Sequence, residues 1–412
     1  MTQTLLHQIL DYANRADPYP IYEELRKTPV RHETDGPYVI STYYEIRSLL
    51  HDPRISSDAR NLASGSADPL LESSPEESAL PPSFLRLDPP EHDRMRRMTN
   101  RHFGPPHSPH RVDGMRPELH DIVTGLIDGL GDPGRIDLVE EFSYPFPVTV
   151  ICRLLGVPRE DEARFHTWAD TLAASLDPDP DADPAERGKG PAHEARMQLG
   201  MYLAGLIEER RKNPGDDMLS QLATAKGPDG PMATMELLST AALLLIAGHE
   251  TTVNLITNGM LTLLRHPDVL QRLRTEPRLA VPIVEELLRF EPPVQLLPGR
   301  TTLADIEVRG VTVPKGSTLW LVLASGNRDP QRFENPDRFD PDRPDIQHLG
   351  LGSGIHSCFG APLARLEAQL ALSELARRLE NPRLLDDPPP YRRNAVLRGP
   401  RHLRIACDGI RP

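Results

Sequence analysis

Leu351-Gly352-Ser353-Gly354-Ile355-His356-Ser357-Cys358-Phe359-Gly360-Ala361-Pro362 is the stretch on which the reading of this chain turns. Its glycines permit positive φ and let backbone approach a flat ligand closely. Pro362 suits a first helical turn, so a helix is expected over Pro362 to Leu379. The amides opening such a helix favour negative charge in front of them, and a sulfur at Cys358 is stabilised there as a thiolate. The segment therefore reads as a cradle for a metal-bound sulfur. Without further context it also reads as a glycine-rich turn carrying an inert buried cysteine.

The surrounding composition narrows the choice. The chain has 412 residues, 47 basic and 60 acidic side chains and a formal charge of −13. Its 44 prolines are roughly twice ordinary usage, yet proline and glycine together stay below the level of a low-complexity chain. This is a globular protein with many helix stops. Cys152, Cys358 and Cys407 are too few and too scattered for a disulfide framework, and no zinc-type spacing is present. The longest apolar stretch, Ala241 to Gly248, falls well short of the ~20 residues that span a bilayer. The N-terminus lacks a basic and apolar leader, so no membrane association and a cytoplasmic location are expected. Net acidity argues against a nucleic-acid partner.

Helical periodicity dominates. Helices are expected over Ile21–Arg26, Tyr43–His51, Glu91–Phe103, Asp161–Leu176, Ala192–Lys212, Met232–Arg265 and Pro282–Phe290, with another entered from Asp137 through a short strand or turn and ending by Val157. Short strands are expected near Arg31, over Pro37–Thr42, Arg300–Val313 and Thr318–Ser325. The fold class is mainly α with minor β, and residues 1–412 read as a single domain. Loops over 56–90 and 177–191 read as functional or lid segments. Met232–Arg265 is apolar around its circumference, the mark of a buried central helix, and Gly248 is expected to interrupt it. There Ala247-Gly248-His249-Glu250-Thr251-Thr252 places an acid and alcohols in an apolar helix. Such groups cost stability, which suggests use; a kink with a solvated glutamate is the plain alternative.

With its continuation Ala361-Pro362-Leu363-Ala364-Arg365-Leu366-Glu367, the cysteine segment resembles the haem-ligand loop of cytochrome P450 enzymes, Phe-Gly-x-Gly-x-His-x-Cys-x-Gly, in its soluble bacterial form. Leu351 stands where the family has phenylalanine. The resemblance runs from about residue 17 to 400 and implies the P450 fold, a triangular helical prism with a small β-rich side. It implies haem b (iron protoporphyrin IX) with Cys358 as the iron ligand, and thiolate ligation favours O–O cleavage. Cofactor contacts are implied at Gly352, Gly360, Ala247 and Gly248, and at His92, Arg96, Arg300 and His356 for the haem carboxylates. Glu250 and Thr251 are the implied catalytic pair, delivering protons to bound dioxygen, with His249 packing beside them. Glu286 and Arg289, together with the coil Asn327-Arg328-Asp329-Pro330…Phe333-Glu334-Asn335-Pro336-Asp337-Arg338-Phe339, imply a buried network completed by Arg338.

The function so implied is a haem-thiolate monooxygenase inserting one atom of dioxygen into a small-molecule substrate. Electrons are expected from a separate ferredoxin and its reductase, docking on a basic patch of Arg94, Arg97, Arg101 and Arg365. A hydrogen-peroxide-driven peroxygenase and a non-catalytic haem-binding sensor are the alternatives. Expected substrate walls are Phe84 and Leu85 in the 56–90 loop, the 172–200 region, Leu244 and Ala247, Val294, Leu296 and Leu297, and Val396 and Leu397. Their largely aliphatic character suggests a mid-sized apolar or amphipathic compound.

Overall fold

A helix that is apolar all round needs protein on every side. A computed structural model describes residues 4–33, 36–61, 82–100, 111–174, 190–225 and 230–412, and in it helix Thr234–Arg265 has that surrounding. It packs against helices Pro145–Leu155, Glu162–Ala174, Pro191–Lys212, Ala280–Phe290 and Ala361–Arg378. Glu236 Oε2 accepts from the Ala233 amide (3.1 Å) and starts it. Gly248 does not interrupt the helix, contrary to expectation. A Cβ at that position would lie 3.1 Å from Ile151 Cδ1, so the missing side chain admits the neighbouring Pro145–Leu155 helix.

The β component is small. One five-stranded sheet has the order Val30–His32, Tyr38–Ile40, Thr318–Leu321, Leu297–Thr302, Ile55–Ser56. The first pair is the hairpin expected near Arg31. Tyr38–Ile40 runs parallel to Thr318–Leu321, and the other pairs are antiparallel. The strand expected over Arg300–Val313 is broken. It begins at Leu297, ends at Thr302, and Ile306–Val308 then pairs with Val311–Val313 as a separate ribbon, turned by Arg309 (φ 52°) and Gly310 (φ 78°). Thr318–Ser325 likewise ends early, in a helical turn over Leu323–Gly326. Helix Arg116–Asp128 was not anticipated, although Leu119, Val123 and Ile127 form a buried stripe at four-residue spacing. Residues 62–81, 101–110 and 175–189 fall outside the described residues, and with them most of the two expected loops and the end of the Glu91–Phe103 helix.

A fully buried ion pair braces the coil before the cysteine loop. Glu286 accepts two hydrogen bonds from Arg289, each 2.7 Å. Arg289 also donates to the carbonyls of Asn327 (3.0 Å), Pro336 (2.8 Å) and Arg338 (3.1 Å). The network is therefore not completed by the Arg338 side chain, which is exposed. The coil turns at Asn335 (φ 45°) and presents the Arg338 carbonyl inward, while Arg343 Nε reaches to 3.5 Å from Glu286 Oε2. Glu286→Ala is expected to cost about 3–5 kcal/mol in chemical denaturation, because it strands buried guanidinium charge. Arg338→Ala is expected to stay within about 0.5 kcal/mol.

Candidate active site

The cysteine loop is seated by one glycine. Gly354 has φ 70°, and a Cβ there would sit 2.0 Å from the Leu50 carbonyl oxygen, so no other residue fits against helix Tyr43–His51. His51 Nε2 meets Ser353 Oγ at 2.7 Å, and the Cys358 amide donates to the Leu351 carbonyl (2.9 Å). Cys358 then stands just ahead of helix Ala361–Arg378. Its sulfur is reachable from solvent yet walled by protein on most sides. Desolvation pushes the thiol up, opposed by the Gly360 and Ala361 amides and by the Arg96 and Arg365 guanidiniums. Those donors and cations are what a bound thiolate needs. Gly360 leaves open space on this side, since a Cβ there would find only Cys358 Sγ, at 3.9 Å.

Beside the loop, basic groups from three elements converge. The His92 and His356 rings lie 4.4 Å apart, edge to face. His92 Nδ1 meets Asp93 Oδ1 at 2.8 Å, but His92 Nε2 and His356 Nδ1 are buried without a hydrogen-bond partner among the described residues. Arg96, one turn beyond His92, donates to the Ser357 carbonyl, and Arg300 is buried in strand Leu297–Thr302. Burial drives the His356 imidazole down to about 3, helped by the charges of Arg300, His92 and Arg96. Orphaned ring nitrogens among crowded cations fit the carboxylates of an anionic cofactor.

On the central helix, Thr251 Oγ1 donates to the Ala247 carbonyl (2.8 Å) and Thr252 Oγ1 to the Gly248 carbonyl (3.2 Å). Glu250 is 2% exposed, so the solvated-glutamate alternative does not hold. Glu250 Oε1 is paired with Arg392 Nη1 at 3.2 Å. Nothing in the sequence pointed to Arg392, which comes from 142 positions away. His249 packs edge to face on Tyr144, 5.7 Å between centroids, as a packing residue does.

The expected substrate walls divide. Val294 pairs with Leu397 in an isolated bridge, and Leu296 and Val396 join them in one apolar cluster. Leu297 also packs on the neighbouring cluster, while Leu244 lies in the main core on the central helix. Phe84 is buried edge-on to Phe359 (5.3 Å), which places it beside the cysteine loop, and Leu85 is exposed.

Comparison with known proteins identifies the family. The family profile described as cytochrome P450 matches residues 76–406. The chain belongs to the cytochrome P450 family. It is 43% identical over 371 residues to the cytochrome P450 monooxygenase PikC of Streptomyces venezuelae, covering 88% of this chain and 84% of that one. It is 38% identical to the vitamin D(3) 25-hydroxylase of Pseudonocardia autotrophica, covering 91% and 89%. The ligand-free crystal structure of Mycobacterium smegmatis CYP164A2 superposes with a TM-score of 0.86 at 41% identity, covering 98% of this chain and 99% of that one. The protein is therefore a P450 monooxygenase, an oxidoreductase whose family carries haem.

The sulfur side of this P450 is open. A concavity of about 720 Å³ is lined by Leu351, Cys358, Ala361, Arg365, Glu285 and Tyr43 among others. Two of the four arginines expected to form a basic patch are paired with acids. Arg365 makes two hydrogen bonds to Glu285 (2.5 and 2.9 Å), Arg94 pairs with Glu236, and Arg101 lies outside the described residues. Arg97 is exposed. Sequence reading missed Glu285 because its partners, Arg365 and His348, lie 80 and 63 positions away.

Partial burial works to raise the Glu285 carboxyl, but hydrogen bonds and charge from His348 and Arg365 outweigh it and bring it from 4.5 to about 2. A depressed carboxyl stabilises the fold above its unfolded value and loses that contribution as pH falls towards the folded one. In pH-dependent denaturation, Glu285→Gln is expected to be less stable than the parent by about 1–2 kcal/mol at neutral pH, allowing for solvent screening. The gap should close between roughly pH 5 and pH 2. A gap independent of pH would contradict the pairing.

Proposed function

We propose that residues 1–412 work as one cytoplasmic catalytic domain that hydroxylates a mid-sized apolar or amphipathic compound, with electrons from a ferredoxin and its reductase. The convergence of His92, Arg96, Arg300 and His356 beside Cys358 carries this reading, because it matches a haem b with two carboxylates and one sulfur ligand. Cys358 would hold the iron, and the Gly360 and Ala361 amides would keep the sulfur anionic. Gly352 and Gly360 would leave room for a bound ring. When bound, the haem supplies the one-electron and dioxygen chemistry.

The chain's own residues do the rest. Ala247, exposed on the central helix, would present only a methyl group where a diatomic molecule must fit, whereas Gly248 turns its bare side to Ile151 and serves the helix packing. Thr251, tied to the Ala247 carbonyl, offers a hydroxyl that hands on a proton at Oγ1, and the Glu250 carboxylate takes up a proton from solvent and passes it to that oxygen. The aliphatic cluster of Val294, Leu296, Val396 and Leu397, with Leu244 and Leu297 nearby, would wall the substrate and exclude water. Support for an apolar substrate also comes from the relative named for 25-hydroxylation of vitamin D(3).

Candidate substrates are ranked by their spectral shift on binding, then turned over with NADH, a ferredoxin and its reductase under isotopically labelled dioxygen. The expected product carries one labelled oxygen. Glu250→Gln and Thr251→Ala should lower product per NADH at least tenfold, with peroxide accumulating, on the scale of a lost proton-transfer group. Unlabelled product, or full turnover by peroxide with both variants unaffected, would favour the peroxygenase alternative and overturn this reading.

A further inference from the structure

Glu250 is the only acidic residue between Leu237 and Leu263, the buried length of the central helix. A carboxylate taken out of water takes up a proton unless a cation replaces the lost hydration. Its two oxygens are treated differently. Oε1 lies 3.2 Å from Arg392 Nη1 and 3.3 Å from Asn254 Nδ2. Oε2 has no hydrogen-bond partner among the described residues, and His249 Nε2 stands 3.9 Å from it, beyond hydrogen-bond range. His249 Nδ1 meets the Leu245 carbonyl at 2.8 Å, and a carbonyl only accepts, so that nitrogen carries the ring proton. Of the two residues paired with Glu250 among the described residues, Arg392 alone is always charged.

Arg392 is held in place by a short hairpin. Tyr391 pairs with Pro400, the Arg392 amide donates to the Gly399 carbonyl (3.0 Å), and the Arg398 amide to the Pro293 carbonyl (2.8 Å). Asn258, two turns below Glu250, donates to the Arg398 carbonyl (3.0 Å). A Cβ at Gly399 would fall 2.1 Å from Asn254 Oδ1, so the hairpin lies directly on the central helix. The Arg398 side chain pins its far arm to the Arg15 carbonyl (2.8 Å), the Ala16 carbonyl (2.7 Å) and Glu291. Val396 and Leu397, in the proposed substrate wall, belong to the same hairpin.

We propose that Arg392 is a positioning residue for this reaction, holding Glu250 ionised and oriented for proton transfer from a hairpin that also carries part of the substrate wall. The proposal rests on the reading of Glu250 as the proton-relay group. Arg392 acts only through Glu250. Among the described residues, the titratable and charged groups facing that carboxylate are Arg392 from the hairpin and His249 on the same helix, with Tyr144 and Cys152 behind His249.

The test is the charge state of Glu250 in the carbon-monoxide-bound ferrous holoenzyme at neutral pH, read by infrared difference spectroscopy. Each protein is compared with its own Glu250→Gln counterpart. The parent pair should show no protonated-carboxyl band. The Arg392→Gln pair should show a band of one carboxylic acid, shifting in heavy water, and Arg392→Lys should suppress it again. Arg392→Met, uncharged and of similar length, replaces the glutamine variant if that one does not fold. No band in either uncharged variant, or a band already present in the parent, overturns the proposal. The relay reading fails separately, if Glu250→Gln keeps full product yield, and the infrared result does not depend on turnover.

Discussion

A thiolate persists inside a protein only where amides and cations replace the water it has lost, and the surroundings of Cys358 supply both. The amides come from the start of helix Ala361–Arg378, the charges from Arg96 and Arg365. Keeping these donors in register requires the loop to be fixed from behind. Gly354 presses it against the Leu50 carbonyl, and the Glu286–Arg289 pair ties down the coil that leads into it. A buried ion pair adds little net stability, but once formed it is costly to break. Its place here is to hold geometry.

The opposite wall follows from the same economy of burial. A long apolar helix carries one acid at its middle, and a hairpin from the far end of the chain brings the arginine that faces it. The proposed proton-handling and substrate-wall residues thus meet at one hairpin, because Arg392, Val396 and Leu397 all belong to it. The sulfur side is different in kind. It is an open concavity in which Arg365 is paired with Glu285, so that arginine offers little free positive charge to an electron donor.

Features set by local chemistry could be read from the sequence. The cysteine loop, the central helix, helix Tyr43–His51 and the first hairpin announce themselves through glycine placement and apolar periodicity. Glu250 stood out as an acid in an apolar helix. Long-range partners left no such mark. Arg343 rather than Arg338 reaches Glu286 because a coil turn at Asn335 decides which side chain faces inward. Arg392 is one arginine in an arginine-rich chain until the hairpin sets it against the helix. The neutralisation of Arg94 and Arg365 was equally hidden, since Glu236 and Glu285 are far from them in sequence. Gly248 misled for a related reason: in sequence it looks like a break, in space it admits Ile151.

The account stands on the Cys358 sulfur as the iron ligand, and the most direct test is the absorption spectrum of the dithionite-reduced protein under carbon monoxide. The parent should give the red-shifted Soret band of a thiolate-ligated haem, as should Cys152→Ala and Cys407→Ala, and Cys358→Ala should lose it. A thiolate-type band surviving in Cys358→Ala, or absent from the haem-loaded parent, would contradict the account.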